Sequence, residues 1–513
     1  MNLSTWDTLT LAIYLGGMAL MGFYFSRKNT STEEYFVGGR SFSGWIIGLS
    51  LVGTSISSIT FLAYPGDAFK TAWLRYLPNL MLPIAVAIAA FYFLPILRKN
   101  NATTAYEFLE ERFGPSVRIY GAIAFILAQL VRISIILYLL SLMIHEISGL
   151  DPITCILIGG VFVAIYTILG GIDAVIWTDV IQTVVLALGG LLCLWIIVDL
   201  LPGGLSQVFD IASQHNKLSF TEWNNGEASP VSWDFSLQNK TGLMMLLIGL
   251  TAWLTEYSSN QNTVQRFAAS KSMTEARKAM FICALCSLPI WAFYMFLGTA
   301  LFAFFEVFPA TEATAMLNGE QKAEQILPFF MINHLPPGIL GLVIAAALAA
   351  AMSSLDSSIN AISTVSIVDL YRRHFKKDQN DRHYLKVAWI IATVTSVFMI
   401  VGAIFLQQAE TKTLQDTATI LASLLSGGLL GLYLMGFFTK KLGTEGDAKG
   451  IWVGISCTIA FTIWTILSKK GLLPDALTFP FDLYYTGLFG NLIMFIVGYV
   501  ATQMWPRPKM AHV

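Results

Sequence analysis

The chain has 513 residues, of which 55% are hydrophobic and only 12% charged, and its mean hydropathy is +0.65. A soluble domain carries about 25% charged residues, so the charge needed to cover a water-facing surface is missing. The net charge of −1, from 31 basic and 32 acidic residues, argues against a nucleic-acid-binding face. No GxxxxGK-Ser/Thr phosphate loop, HExxH helix or secreted disulfide framework occurs. Cys155, Cys193, Cys283, Cys286 and Cys457 all lie in apolar stretches, and the Cys283/Cys286 spacing reads as small packing residues rather than a redox pair.

One bilayer crossing takes about 20 apolar residues. Apolar runs predict an all-α polytopic membrane protein with about thirteen spans, near 5–25, 43–64, 74–97, 118–145, 152–170, 176–200, 241–265, 279–305, 336–366, 385–407, 414–438, 450–467 and 484–504. The first span has no basic leader segment and no A-x-A cleavage site, and Arg27 and Lys28 follow it, so it reads as a retained helix. Positive charge is held on the cytoplasmic side. With the N-terminus outside, 22 of the Lys and Arg, Arg266 among them, fall in inner loops and 8 in outer loops, with Arg132 inside a span. That bias predicts an N-out, C-in topology, with outer caps near 201–240 and 306–335 too short to be domains of their own.

Polar residues inside spans are costly and are site candidates by default. The second span carries Gly48 and Gly53 with hydroxyls at 50, 54, 55, 57, 58 and 60, and ends at Pro65-Gly66. Glycines and serines weaken a helix. A mid-membrane break would free carbonyls for a cation, whereas a Ser/Gly packing interface would need only one face. The fourth span holds Arg132 alone, calling for an anionic ligand or an acidic partner such as Asp179 or Asp356. In the seventh span the polar run Thr255–Thr263 is either a second break or the inner membrane edge, which would make Glu256 interfacial. Interruptions five spans apart point to an inverted-repeat transporter with a midplane site. The ninth span places residues 350, 353, 354 and 357 on one helical face, offering a carbonyl and three hydroxyls to a hard cation, with Asp356 nearby.

Three stretches carry a family resemblance: Glu34-Tyr35-Phe36-Val37-Gly38-Gly39-Arg40 on through Gly44-Trp45 to Gly48; Gly170-Gly171-Ile172-Asp173-Ala174-Val175-Ile176-Trp177-Thr178-Asp179 with Gln182; and Met352-Ser353-Ser354-Leu355-Asp356-Ser357, continuing to Asp369-Leu370-Tyr371. With the span count and topology, the chain resembles the sodium/solute symporters over nearly its whole length. The resemblance implies a LeuT-like fold: inverted five-helix repeats over 43–200 and 241–438, flanked by helices at 5–25 and 450–504. It implies a sodium site formed by the carbonyls of Gly53, Ile56 and Ala350 and the hydroxyls of Ser353 and Ser354, with glycine at 53 where the family usually has alanine.

Ser57-Ser58-Ile59-Thr60 and Arg132 are most similar to sialic acid symporters, in which hydroxyls matching Ser57 and Thr60 hold the substrate carboxylate, the arginine faces the substrate, and a glutamine stands where Asn79 does here. A second sodium site in some of them corresponds to Asp179, Ser353, Asp356 and Ser357. Here Asp356 replaces a serine, which could strengthen that site or pair with Arg132. Gly249 and Trp253 depart from that pattern, standing where a phenylalanine and an asparagine line the pocket, and Asn260-Gln261 is instead similar to a sugar-contacting pair in sodium/galactose symporters.

The expected function is therefore a sodium-coupled importer of one small polar solute by alternating access, with sodium ion as the coupling cation. The solute is a sialic acid or related carboxylated sugar, contacted by Ser55, Ser57, Thr60, Asn79, Arg132, Tyr257 and Asn260; the alternative is a neutral sugar or polyol. One charge moved down 100 mV contributes about 2.3 kcal/mol. An anionic solute with a single sodium gains nothing from voltage, so a carboxylate substrate favours two sodium ions. His145, His215, His334, His374, His383 and His512 show no ligand spacing, which argues against an enzyme. A sensor or channel would bind the solute without sodium-driven accumulation. The expected setting is a plasma or bacterial inner membrane, with the bilayer, solute and sodium as partners and no obligate protein partner.

Overall fold

The computed structural model describes residues 3–27, 31–99, 102–224, 227–239, 241–408, 428–439, 444–469, 471–481 and 483–504. Its main helices are α1 (Thr5–Ser26), α2 (Gly44–Ser55), α3 (Ile59–Lys70), α4 (Leu74–Leu97), α5 (Pro115–Ser148), α6 (Pro152–Ile168), α7 (Gly170–Leu200), α8 (Gly242–Ser259), α9 (Gln261–Ala269), α10 (Met273–Val307), α11 (Ile339–Phe375), α12 (Asp381–Gln408), α13 (Leu429–Phe438), α14 (Ala448–Lys469) and α15 (Thr486–Met504). Among the described residues, nine helices are long and apolar enough to cross a bilayer alone, and α2 with α3 adds a bent pair. Each span expected from the sequence overlaps a helix. Residues 414–427 of the eleventh lie outside the described residues, and the total of thirteen crossings is not established.

Large apolar side chains face outward around the bundle, Leu20, Leu285 and Phe405 among them at 71–75% exposure. In water such a belt would drive aggregation; in lipid it is the solvent-matched surface. The interior is held by small residues. Helix α11 runs through the centre against α7, and from Leu340 to Val365 nearly every residue is buried. Gly298 lets α10 meet the Pro65 backbone, where a Cβ would stand 2.2 Å from the Pro65 carbonyl oxygen.

Buried polar groups tie the helix ends. Asp7 accepts N–H donors from Gly338 (2.8 Å) and Gly341 (2.7 Å) through one oxygen, and its other oxygen joins a capping box with Ser4. It thereby satisfies orphan donors at the start of both α1 and α11. Lys217, in the segment that caps α3 between α7 and α8, donates to the carbonyls of Phe69 (2.7 Å) and Thr71 (2.9 Å), pinning that cap to the end of α3. The cap also holds an antiparallel hairpin, β1 (Thr221–Asn224) with β2 (Glu227–Pro230).

The turn expected between the fifth and sixth spans is a kink. Gly171, at φ 61° and ψ −165°, breaks direction while helix continues on both sides. Only glycine takes that conformation without strain.

Candidate ion and solute site

Two helices are interrupted where the sequence concentrates hydroxyls and amides. The hydrogen bond from Ile56 N–H to the Val52 carbonyl (3.0 Å) closes α2. Ile56 itself is extended at φ −101°, ψ 102°, and α3 leaves at 58° to α2. Ser57 Oγ accepts the Ile59 N–H at 3.2 Å, restarting the helix. Between α8 and α9, Asn260 is extended at φ −80°, ψ 114°, and its side chain accepts the Asn262 N–H at 3.0 Å. The polar run is therefore a true break, and Glu256 belongs to it: its carboxylate receives Asn260 Nδ2 and Thr263 Oγ1, each at 2.6 Å.

The first break meets the hydroxyl face of α11. Ser353 Oγ donates to the Gly53 carbonyl at 2.9 Å and lies 3.3 Å from the Ala350 carbonyl, and Ser354 Oγ donates to the Thr54 carbonyl at 3.2 Å. Gly53, Ala350, Ser353 and Ser354 thus converge as neutral oxygens. Ile56 supplies the extended residue beside them. Such a donor set suits a hard monovalent cation, whose water it can replace without a fixed charge. Gly53 also lets α2 lie on α7: a Cβ there would stand 2.7 Å from Thr183 Oγ1 and 3.0 Å from the Asp179 carbonyl oxygen. We expect Gly53→Ala to destabilise the protein by about 1–3 kcal/mol through overpacking. Adding Thr183→Ala should restore most of the loss in a thermal melt.

Next to this cluster is a fully buried ion pair. Arg266 Nη2 lies 2.6 Å from Asp179 Oδ2 and 2.6 Å from Ser357 Oγ, Nε donates to Ser50 Oγ at 2.7 Å, and Nη1 to the Asn262 carbonyl at 2.7 Å. Ser50 Oγ also donates to Asp179 Oδ2 at 2.6 Å, while Asp179 Oδ1 is buried without a hydrogen-bond partner. Asp356 accepts Tyr166 O–H at 2.9 Å and the Ser357 N–H at 2.6 Å, and its Oδ1 lies 3.3 Å from the Ser357 Oγ that Arg266 also holds. Of the four residues expected at a second ion site, Asp179 and Ser357 meet through Arg266, and Ser353 joins them through the bond from Ser357 Oγ to its carbonyl at 2.6 Å.

This arrangement corrects two expectations. Arg132 pairs with neither Asp179 nor Asp356, because Arg266 and Tyr166 already hold those carboxylates. Arg266 is not an inner-loop charge: α9 carries it into the interior, where it is 1% exposed.

Arg132 instead faces a cavity of about 330 Å³, shared with Gln129, Thr255, Glu256, Asn260 and Asn491. Among the described residues it forms no ion pair. Of the seven expected solute contacts, Arg132 and Asn260 line this cavity. Ser55 Oγ (3.9 Å) and Tyr257 O–H (3.5 Å) both reach Cys283 Sγ, Asn79 donates to Tyr64 O–H at 2.8 Å, and Ser57 and Thr60 are buried at the break. Gln261 is turned away from the cavity, since its amide is engaged by the Thr103 carbonyl and the Ala105 N–H, both at 2.9 Å. Asn260 and Gln261 therefore do not face this cavity together. Gly249 admits no side chain, as a Cβ would stand 2.2 Å from the Pro78 carbonyl oxygen, and Trp253 packs on Trp291 at 5.2 Å.

The sodium:solute symporter family model matches residues 35–454. The chain belongs to the sodium:solute symporter family. Among its relatives are the sodium/sialic acid symporters NanT of Aliivibrio fischeri, 30% identical over 98% of this chain and 94% of that protein, and SiaT of Proteus mirabilis, 32% identical over 97% and 94%. A solved structure, the substrate-bound outward-open state of a Na+-coupled sialic acid symporter, superposes with a TM-score of 0.86 at 29% identity, covering 99% of this chain and 100% of that one. The all-α, LeuT-like architecture expected from the sequence is the fold of this symporter, a multi-pass membrane transporter coupled to sodium rather than an enzyme.

Proposed function

We propose that this symporter imports a sialic acid or a closely related carboxylated sugar together with sodium. The observation that carries the reading is Arg132, a cation facing a 330 Å³ cavity with no carboxylate partner among the described residues. An unpaired guanidinium at membrane depth is costly, and a solute carboxylate would complete it with charge-assisted hydrogen bonds. The relatives named for sodium/sialic acid symport support the same choice.

The coupling sodium is held by the carbonyls of Gly53, Ile56 and Ala350 and the hydroxyls of Ser353 and Ser354. In this reading it bridges α11 to the broken α2/α3 element and stabilises the state open to the outside; loss of the ion inward frees the two elements to rock. A second sodium at Asp179, Ser353, Asp356 and Ser357 is supported by charge count, since Asp179 and Asp356 face a single guanidinium and one Asp179 oxygen has no donor. With two sodium ions, an anionic solute crosses with net positive charge and gains from the membrane potential. The charge bias of the loops supports N-terminus outside and C-terminus in the cytoplasm. Breaks at Ile56 and Asn260 support residues 43–200 and 241–438 as inverted repeats.

Arg132→Ala is expected to weaken solute-induced thermal stabilisation by a carboxylated sugar roughly ten- to a hundredfold in concentration, from about 1.5–3 kcal/mol for a charged hydrogen bond. Stabilisation by a neutral sugar that ignored the substitution would favour the neutral-sugar reading instead.

A further inference from the structure

A second cavity, of about 440 Å³, opens at the ends of α5 and α11, away from the ion and solute groups. Its wall carries Arg118, Arg372, Arg373 and Lys377. Of the acidic groups near it, Asp378 beside Lys377 is exposed in the wall and forms no ion pair among the described residues, and the others are engaged. Glu33 pairs with Arg40 (2.9 Å), Glu107 accepts the N–H groups of Thr103 (2.8 Å) and Thr104 (2.9 Å), and Glu110 takes both Arg118 and Arg373. Among the described residues Arg372 and Lys377 form no ion pair and both are exposed, with Arg372 lying over the Tyr384 ring at 5.3 Å. Cations at the end of a membrane span sit at headgroup depth, where anionic phosphate is the abundant counter-ion. Phe375, 74% exposed beside them, continues the apolar belt to that level.

We propose that this cavity binds a phosphate-bearing anion at the membrane surface, and that its occupant tunes transport. The coupling is contiguous. Arg118, in the wall, holds Asp369 of α11 at 2.6 Å. Thr103, also in the wall, accepts Gln261 Nε2, one residue after the Asn260 break. An anion drawing on Arg118 and the 103–105 segment therefore acts on the two helices that bear the ion and solute groups. The binding claim needs only the membrane placement, not the identity of the transported solute.

The test uses the full chain purified in detergent, at fixed sodium and ionic strength. Its thermal melt is followed with inorganic phosphate against chloride, and with phosphatidylglycerol against phosphatidylcholine in mixed micelles. We expect a saturable rise in Tm with phosphatidylglycerol, its half-saturation weakened roughly tenfold or more in Arg372→Gln/Lys377→Gln and kept in Arg372→Lys/Lys377→Arg. A parallel response to inorganic phosphate would show that the anion alone suffices; a response to the lipid only would assign the site to a headgroup. No saturable shift with either, or an equal shift in the Gln variant, would overturn the proposal.

Discussion

Arg266→Met is expected to be the most damaging single substitution in the membrane interior. Removing one partner of a buried pair strands the other, at a cost of about 3–5 kcal/mol. Here it would strand Asp179, 0% exposed, and leave Ser357 Oγ and Ser50 Oγ without the guanidinium that bridges them. The double variant Arg266→Met/Asp179→Asn should recover most of the stability, because no uncompensated charge remains. Sodium should also restore part of the melting temperature of Arg266→Met and choline none, since a small cation can occupy the space beside Asp179. If sodium and choline act alike on that variant, a cation site at Asp179, Ser353, Asp356 and Ser357 is not supported.

Ser353→Ala carries the second large effect. Its hydroxyl touches the carbonyls of both Gly53 and Ala350, so it links α2 to α11 and stands in the middle of the proposed ligand set. Losing one oxygen from a buried cation shell costs about 1–3 kcal/mol. The sodium concentration for half-maximal stabilisation should rise roughly ten- to a hundredfold. The melt in choline should fall by only about 0.5–1.5 kcal/mol, the worth of the single neutral hydrogen bond that the serine gives the Gly53 carbonyl at the break.

Much of this arrangement was legible in the sequence because the bilayer penalises polar groups so strongly. The glycines and hydroxyls of residues 48–60 announced a break, and the chain does bend there; the run at Thr255–Thr263 announced another, at Asn260. The spacing of Ala350, Ser353 and Ser354 put their oxygens on the face that meets that break. What the sequence hid is tertiary. Arg266 follows a polar run and so resembles a loop cation, and only the path of α9 shows that it reaches Asp179 across 87 positions of chain. The signal was a deficit: Asp179 and Asp356 are two intramembrane acids, and Arg132 alone could not satisfy both. Gln261 misled because a side-chain amide reads the same whether it meets a solute or the backbone of Thr103 and Ala105. The break at Gly171 falls where the sequence ends the fifth span, but one positive-φ glycine makes it in place of the expected turn of several residues.

Sodium-coupled binding of a carboxylated solute is tested most directly by the thermal stability of the purified protein with sodium or choline as the only cation, across sialic acids, neutral sugars, polyols and monocarboxylates. The expected result is a shift for a carboxylated sugar that requires sodium and is lost in both Arg132→Ala and Ser353→Ala. A solute-induced shift of equal size in choline would contradict it, because the oxygen cluster at Gly53, Ile56, Ala350, Ser353 and Ser354 would then have no part in holding the solute.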